Sequence, residues 1–144
     1  MEIEIRSPKT KLEWENYYDL RFRVLREPWQ QPRGSEKNDG DNIGIHLALF
    51  QFGIIKAIAR LDISEKSIGQ VRFVAVETNN QGKGFGGLIM SEVEKESIAR
   101  GDTQMILHAR EQAVGFYLNL GYNKVEKSHL LFDKIQHYLM QKRY

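Results

Sequence analysis

The sequence predicts an α+β fold in which helices cover both faces of a mixed, mostly antiparallel sheet, a three-layer α/β/α sandwich. Strand-like segments follow one another as hairpins in the first half of the chain and again at its end. A strand–helix–strand unit, the connection typical of parallel strands, occurs once, around the glycine-rich stretch Gln81–Gly87. The 144 residues, 41% of them apolar, suit one core, so we expect residues 1–144 to form a single domain.

The first half of the chain is predicted to hold three strands and one helix. Glu2–Arg6 alternates apolar and charged residues like a strand. Apolar residues at helical spacing predict a helix from about Leu12 to Arg26, which ends before Pro28 because a residue preceding proline disfavours the helical region. After a polar loop, Ile45–Phe52 and Ile54–Ile63 are predicted as two strands joined by a tight turn at the glycine between them.

The second half is predicted to add four strands and two helices. Val71–Val76 has the β-branched and aromatic composition of a buried strand, and a helix that begins near Phe85 ends at a cap near Gly101. Met105–Ala109 is the next strand and precedes a helix from Ala113 to Gly121. Two further strands complete the pattern: Tyr122–Lys127 and Leu130–Met140.

The glycine-rich stretch between a strand and a helix is the strongest indication of function. Its residues are Gln81, Gly82, Lys83, Gly84, Phe85, Gly86 and Gly87. Glycines let the backbone approach a bulky anion without a side-chain clash, and a helix N-terminus points free N–H groups at it. Lys83 adds a positive charge at the same place. A tight turn would also use glycines, but the strand before and the helix after favour a phosphate cradle.

Gly82–Gly87 also satisfies the spacing G-x-G-x-x-G of dinucleotide-binding proteins, with Glu111 at about the expected distance for a ribose contact. The polar linker Glu77–Gln81 argues against this interpretation, because a dinucleotide turn follows its strand directly. The stretch also lies past the middle of the chain, which leaves too little sequence for a doubly wound sheet. A Walker-type phosphate loop is excluded because no G-x-x-x-x-G-K-[ST] occurs.

Two spaced patterns carry a resemblance to a known family. Gln81-x-x-Gly84-x-Gly86 resembles the [QR]-x-x-G-x-[GA] loop of the GNAT superfamily of N-acetyltransferases. Ala113-x-x-Phe116-Tyr117-x-x-x-Gly121-Tyr122 resembles the second pattern of that superfamily, and a predicted strand separates the two. Four further segments are similar to its ElaA-like branch: Leu20–Trp29, His46, Ala59–Leu61 and Ile135–Met140. The resemblance covers nearly the whole chain.

The resemblance implies a GNAT-like sandwich and an enzyme that moves an acetyl group from acetyl-CoA to a primary amine within a ternary complex. Acetyl-CoA is then a co-substrate, and no metal is expected. A backbone N–H at or near Val74 would face the thioester carbonyl. Arg110 stands where asparagine is common in the superfamily. The implied cofactor-binding residues are Val74, Ala75, Val76, Gln81, Gly82, Lys83, Gly84, Phe85, Gly86, Gly87, Arg110 and Phe116.

Two residues are predicted to carry the proton transfers. Tyr117 is the candidate general acid, because a phenol with a pKa near ~10 is protonated at neutral pH. His108 is the candidate base at a reference pKa of about 6.5, although many enzymes of this family deprotonate the amine through ordered water. The predicted acceptor-binding residues are Arg26, Trp29, His46, Arg60 and His137. The interpretation of His46, His108 and His137 as structural histidines remains open, and so does that of Phe116 and Tyr117 as a core aromatic pair.

Composition limits the partners of the protein. Lys plus Arg number 21 against 19 Asp plus Glu, so a net charge of +2 argues against nucleic acid as the main partner. The chain has no cysteine, hence we expect no disulfide, no cysteine nucleophile and no thiolate metal site. Met1 to Leu12 lacks the apolar run of a signal peptide, and no segment is long enough to span a membrane, so a cytoplasmic location is expected.

Three questions stay open at the level of sequence. The acceptor is expected to be a small-molecule amine, but nothing selects among amino acids, polyamines, amino sugars, drugs or protein lysines. An exposed strand edge near the C-terminus would support a homodimer. A GNAT-like domain that binds acyl-CoA as a sensor or scaffold, without catalysis, is the alternative function.

Overall fold

A computed structural model describes residues 2–144, within which seven strands form one sheet and three α-helices cover it. The strands are β1 Ile3–Arg6, β2 Ile45–Gln51, β3 Ile54–Glu65, β4 Ile68–Val76, β5 Gln104–Arg110, β6 Asn123–Leu131 and β7 Ile135–Arg143. The helices are α1 Lys11–Leu25, α2 Phe85–Ala99 and α3 Val114–Asn119. None of the helices in this part of the chain is long and apolar enough to cross a membrane.

The sheet is mixed and mostly antiparallel, as predicted. Its strand order is β1-β2-β3-β4-β5-β7-β6, and among the described residues β4 and β5 are the one parallel pair. The helix α2 makes the crossover between these two strands. The dinucleotide-binding alternative required a doubly wound parallel sheet. That alternative is therefore wrong.

Two apolar clusters, one on each face of the sheet, hold the layers together. Tyr17 and Leu20 of α1 pack against Ile58 of β3 on one face. Ile89 of α2 packs against residues such as Leu107 of β5 on the other face, in a cluster that also includes Tyr117 of α3. The two faces are called the α1 face and the α2 face below.

Local sequence explains where the elements begin and end, with two differences from prediction. The helix α1 starts in a capping box, because Thr10 accepts from the Glu13 N–H and Glu13 reaches back to the Thr10 N–H. The strand predicted at Val71–Val76 begins earlier, at Ile68, and β3 and β4 pair as far as Glu65 and Ile68. Leu130 was predicted to start the last strand but lies in β6, where it pairs with Gln136 across the final hairpin.

The parallel strands β4 and β5 separate halfway along, and this separation positions the site. Their pairing begins at Ile68 and ends at Gln70, opposite Ile106, although both strands continue. In the same half of β4 the register with β3 shifts, so that Phe73 and the following residue have no partner. Phe73 has a φ of 55°. A bulge of this kind re-aims side chains and often lies beside a functional site.

Candidate active site

A cleft of about 870 Å³ opens between the separated halves of β4 and β5. Its floor is formed by β4 from Gln70 to Val76 and by β5 from Leu107 to Arg110. The start of α2, the helix α3 and the end of α1 supply its walls, and His129 and Leu131 of β6 and His137 of β7 also line it. The site thus draws on every layer of the sandwich.

The glycine-rich loop presents bare backbone to this cleft. Gly82 and Gly84 have φ values of 83° and 85°, which glycine adopts without strain, and no atom lies within 4 Å of a Cβ built on either. Gly84 caps α2 without a side chain, and the first turn of α2 carries no acidic residue. The N–H groups of this turn have no partner within the helix and therefore form an anion-binding position.

The predicted loop contacts divide into those that line the cleft and one that does not. Gln81 lines it and donates from Nε2 to the Val76 carbonyl over 3.3 Å, which ties the loop to the end of β4. Lys83 is exposed and lies outside the lining. Bare glycine backbone and uncapped helix N–H groups fit the pyrophosphate of acetyl-CoA by their chemistry.

Tyr117, the predicted general acid, lies in α3 with only 7% of its surface exposed and still lines the cleft. Its ring makes edge contacts with Phe116 and Tyr122, at centroid distances of 4.9 Å and 5.9 Å. Its hydroxyl forms no hydrogen bond with any other described residue. Burial raises the pKa of Tyr117, so the phenol stays protonated well above neutral pH.

His108, the predicted base, is exposed within the cleft on β5. The partial desolvation of the imidazole inside the cleft lowers the pKa of His108 below 6.5, and the nearby His129 and the Arg72 guanidinium lower it further. The ring centroids of His108 and His129 are 5.5 Å apart. A neutral imidazole in this position is able to accept a proton from an amine at physiological pH.

His137 is buried but reaches the same cleft. Its ring stacks on that of His129 at 4.3 Å, and its Nδ1 donates to the Ile135 carbonyl over 3.0 Å. Burial lowers the pKa of His137 to about 4. Nε2 therefore carries the lone pair at neutral pH. No group of three or more His, Asp or Glu side chains in residues 2–144 is arranged to hold a metal ion.

Three residues predicted to bind the acceptor lie outside the lining of the cleft. Arg60 is fully buried and donates to Asp41 over 2.7 Å. His46 accepts from the Tyr17 hydroxyl over 2.8 Å and donates to the Asp41 carbonyl over 2.9 Å. Trp29 ends a short 3₁₀ turn after α1. The arrangement around Asp41 is a buried polar network that fixes the loop before β2 to α1 and β3.

Arg26 and Arg110 do line the cleft, and so does Arg72, which the sequence analysis did not single out. Arg110 donates from Nη2 to the Leu25 carbonyl over 3.1 Å and so lies against the end of α1. The sequence feature that points to Arg72 is a charge inside an otherwise apolar strand. His129, also missed, follows a serine in a polar strand and offers no such feature.

Two sequence comparisons relate this chain to known proteins. Residues 38–144 match the family described as the acetyltransferase (GNAT) domain. The uncharacterized N-acetyltransferase YjcF of Bacillus subtilis (strain 168) is 25% identical over 134 residues, which are 93% of this chain and 95% of that protein.

Solved structures share the fold. An acyl-CoA N-acyltransferase from Pseudomonas aeruginosa superposes with a TM-score of 0.81 at 22% identity, covering 98% of each chain. Escherichia coli ElaA does so with a TM-score of 0.80 at 18% identity and 99% coverage of each chain. An aminoglycoside 6'-N-acetyltransferase, solved in complex with coenzyme A, gives 0.83 at 16% identity, over 99% of this chain and 97% of that one. Since the family match covers most of the sequence, the chain belongs to the GNAT family of acetyltransferases.

Proposed function

We propose that the protein transfers the acetyl group of acetyl-CoA to a primary amine, directly and within a ternary complex. The observation that carries this proposal is that the uncapped glycine-rich turn of α2 and the unbonded hydroxyl of Tyr117 open into one cleft. In acetyl transfer from a thioester, an anion-binding backbone is able to hold the co-substrate and a protonated phenol is able to protonate the departing thiolate.

The cleft offers a separate position for each part of acetyl-CoA. The N–H groups from Gly82 to Gly87 would bind the pyrophosphate. Beyond Gln70 the edge of β4 has no partner in β5, so the backbone from Val74 to Val76 is able to pair with the amides of the pantetheine arm as an added strand would. The Val74 N–H is the candidate donor to the carbonyl oxygen as negative charge develops on it.

Acetyl-CoA supplies the activated acyl group. The amine nitrogen bonds to the acyl carbon, and the carbon–sulfur bond breaks. Tyr117 gives its phenolic proton to the departing sulfur. His108 takes the proton that the amine loses, either directly or through a water molecule. Arg26 and His137 line the side of the cleft from which the acceptor would approach.

Calorimetric titration with acetyl-CoA, and in a separate experiment with NAD as the alternative ligand, tests whether the protein binds the proposed co-substrate. We expect saturable acetyl-CoA binding that Gly84→Asp abolishes. Gly53→Asp is the matched control, because Gly53 has a φ of 78° and open space around its Cβ position but lies in the β2–β3 turn. Equal losses in both variants would reflect backbone strain alone, and no binding by folded wild-type protein would refute the proposal.

Turnover separates an enzyme from an acyl-CoA sensor, the alternative that shares this cleft. Sustained release of free CoA with any member of a broad amine panel would exclude a purely sensing role. Tight acetyl-CoA binding without CoA release across the panel would favour the sensor.

A further inference from the structure

The cleft is lined by three arginines and by no acidic residue. Arg26, Arg72 and Arg110 all reach it, whereas its lining in residues 2–144 includes neither aspartate nor glutamate. Clusters of guanidinium groups without carboxylates are characteristic of sites that receive an anion.

These arginines differ from most others in the chain. Of the ten arginines in the sequence, six form ion pairs within residues 2–144: Arg6, Arg21, Arg23, Arg33, Arg60 and Arg100. Arg143, on the last strand, is exposed and makes no ion pair within that part of the chain. The remaining three are those of the cleft, so three of the four arginines without an ion pair among the described residues line it.

The hydrogen bonds of the cleft arginines go to neutral groups. Arg26 donates from Nε to the Ser35 carbonyl and from Nη1 to the Leu25 carbonyl, each over 3.1 Å. Arg110 donates to the same Leu25 oxygen over 3.1 Å. Arg72 forms no hydrogen bond or ion pair with another described residue and contacts the Phe73 ring at 5.3 Å. Several N–H donors of the cluster therefore remain for a ligand.

The acids nearest to the cluster are bound to other groups. Asp41 accepts from Arg21 and Arg60, and Asp62 accepts from Arg60. The Glu36 carboxylate accepts from the Gly34 N–H over 2.7 Å. None of these carboxylates lines the cleft.

Electrostatics supports the same conclusion. Burial lowers the pKa of Arg26, Arg72 and Arg110, and neighbouring guanidinium groups lower the pKa of the first two further. Glu36 acts in the opposite direction on the pKa of Arg26, and Asp62 and Asp41 do so on that of Arg72, but the pKa of each arginine is lowered overall. The arginines remain charged because their ordinary pKa is far above neutral pH. The attraction of a bound anion would offset both the free-energy cost of desolvation and the mutual repulsion of these cations.

The cluster lies on the opposite side of the sheet from the glycine-rich loop. Leu107 and Ala109 of β5 belong to the apolar cluster of the α2 face. Because successive side chains of a strand point to opposite faces of the sheet, Arg110 lies on the α1 face. Val71 likewise belongs to the α2 face, and Arg72 follows it. Arg26 comes directly after α1. The pyrophosphate position at α2 and the arginine cluster therefore lie on opposite faces of the sheet.

We infer that the acceptor amine carries an oxyanion, a carboxylate or a phosphate, which Arg72 and Arg110 bind together with Arg26. This inference rests on the proposed function and names its substrate class. The planar guanidinium forks bind such a group with paired hydrogen bonds and hold the amine toward His108 and the thioester. Polyamines and other polycations would be repelled from the same cleft.

Matched amine pairs test the inference through CoA release. Two pairs test a carboxylate: glycine with glycinamide, and β-alanine with β-alaninamide. One pair, phosphoethanolamine with ethanolamine, tests a phosphate. Spermidine serves as the polycation. We expect the anionic member of at least one pair to have the higher kcat/KM. Arg72→Ala should raise the KM of that amine about 10- to 100-fold, as loss of hydrogen bonds to a charged group does. The Kd of acetyl-CoA should stay unchanged in Arg72→Ala. The control variant Arg143→Ala should keep the activity of the wild-type protein.

Each contrary result has its own meaning. Equal or better turnover of the uncharged amines or spermidine would overturn the inference and leave the transferase proposal intact. A rise in the Kd of acetyl-CoA on Arg72→Ala, without a change for the acceptor, would assign the guanidinium to the co-substrate and also overturn it. If no amine turns over, the proposed catalysis fails. Calorimetric titration of acetyl-CoA-saturated protein with the same pairs then decides the inference, which fails if the anionic members bind no better.

Discussion

The Phe116 ring lies so close to Gly86 that a Cβ on this glycine would stand 3.0 Å from the ring Cζ. This contact joins the first turn of α2 to α3 and so brings together the two sequence patterns that resemble the GNAT superfamily. It also gives a reason for a glycine at this position of a helix whose backbone conformation any residue adopts. The reason is the neighbouring ring and not φ.

Replacing Gly86 and the adjacent Gly87 by alanine should give opposite results. A Cβ on Gly87 meets nothing closer than 3.9 Å, so Gly87→Ala should raise the free energy of unfolding by about 0.5–1 kcal/mol through helix propensity. Gly86→Ala must displace the Phe116 ring, and we expect it to lose this gain and to weaken acetyl-CoA binding. Urea unfolding and calorimetry measure both effects. Equal stabilisation by the two variants would contradict the contact.

Tyr117→Phe should fold normally and lose most of its turnover. The Tyr117 hydroxyl forms no hydrogen bond with another described residue, so its removal leaves no partner unsatisfied. Loss of a general acid typically lowers kcat by about 10²- to 10⁴-fold. Tyr138→Phe, which removes a hydroxyl from β7 outside the cleft, is the control. Unchanged kcat in Tyr117→Phe, measured by CoA release, would remove Tyr117 from the mechanism.

The pH dependence of kcat should report His108. As a base, His108 must be neutral, so activity should fall as the pH drops through a pKa below 6.5. The positive charge of Arg72 disfavours the imidazolium, and Arg72→Ala should therefore raise the pKa of His108 and move the acid limb to higher pH. Rates at saturating acceptor and NMR titration of the ring would measure this shift. A limb that persists in His108→Gln would exclude this base.

His137 should make the fold sensitive to acid. Burial lowers the pKa of His137 from 6.5 to about 4, so the unfolded chain takes up a proton in this range before the native protein does. Stability is then complete above pH 6.5 and is lost as the pH falls toward about 4, by about 3 kcal/mol in all. In His137→Asn the difference in unfolding free energy between pH 7 and pH 4 should shrink by this amount. Urea titrations at the two pH values test it, and an unchanged difference would contradict the assignment.

Local patterns explain why much of the fold was predictable. The glycine-rich loop lies within seven consecutive residues, and its position between a strand and a helix is visible in the sequence. The strand β2 and its hairpin partner were also recognised from composition and from the glycine between them. Such features depend on residues that are adjacent in the chain, so the sequence alone is enough to predict them.

Features that depend on distant residues were not predictable in the same way. Arg26, Arg72 and Arg110 are far apart in the chain and meet only because β4 and β5 separate beside the end of α1. The bulge at Phe73 follows from pairing with β3, and no glycine or proline marks it. Arg60 was expected at the acceptor pocket, but its ion pair with Asp41 depends on a loop whose position the sequence does not specify.

Asp41→Asn should destabilise the protein strongly, because Asp41 is the shared anion of a buried network. Its carboxylate accepts from Arg21 over 2.9 Å and from Arg60 over 2.7 Å, and both guanidinium groups are fully buried. Removing one partner of a buried ion pair typically costs about 3–5 kcal/mol when the remaining charge is left without compensation, as Arg21 would be, whereas Arg60 keeps its ion pair with Asp62. Urea unfolding at pH 7 measures the loss.

Asp39→Asn is the matched control for Asp41→Asn, because it makes the same chemical change two residues away on an exposed side chain. It should change the free energy of unfolding by less than about 0.5 kcal/mol. Similar losses of unfolding free energy in the two variants would mean that the negative charge of the loop stabilises the protein, and not the specific ion pairs of Asp41 with Arg21 and Arg60. A large loss in Asp41→Asn alone would establish that this carboxylate holds the loop against α1 and β3.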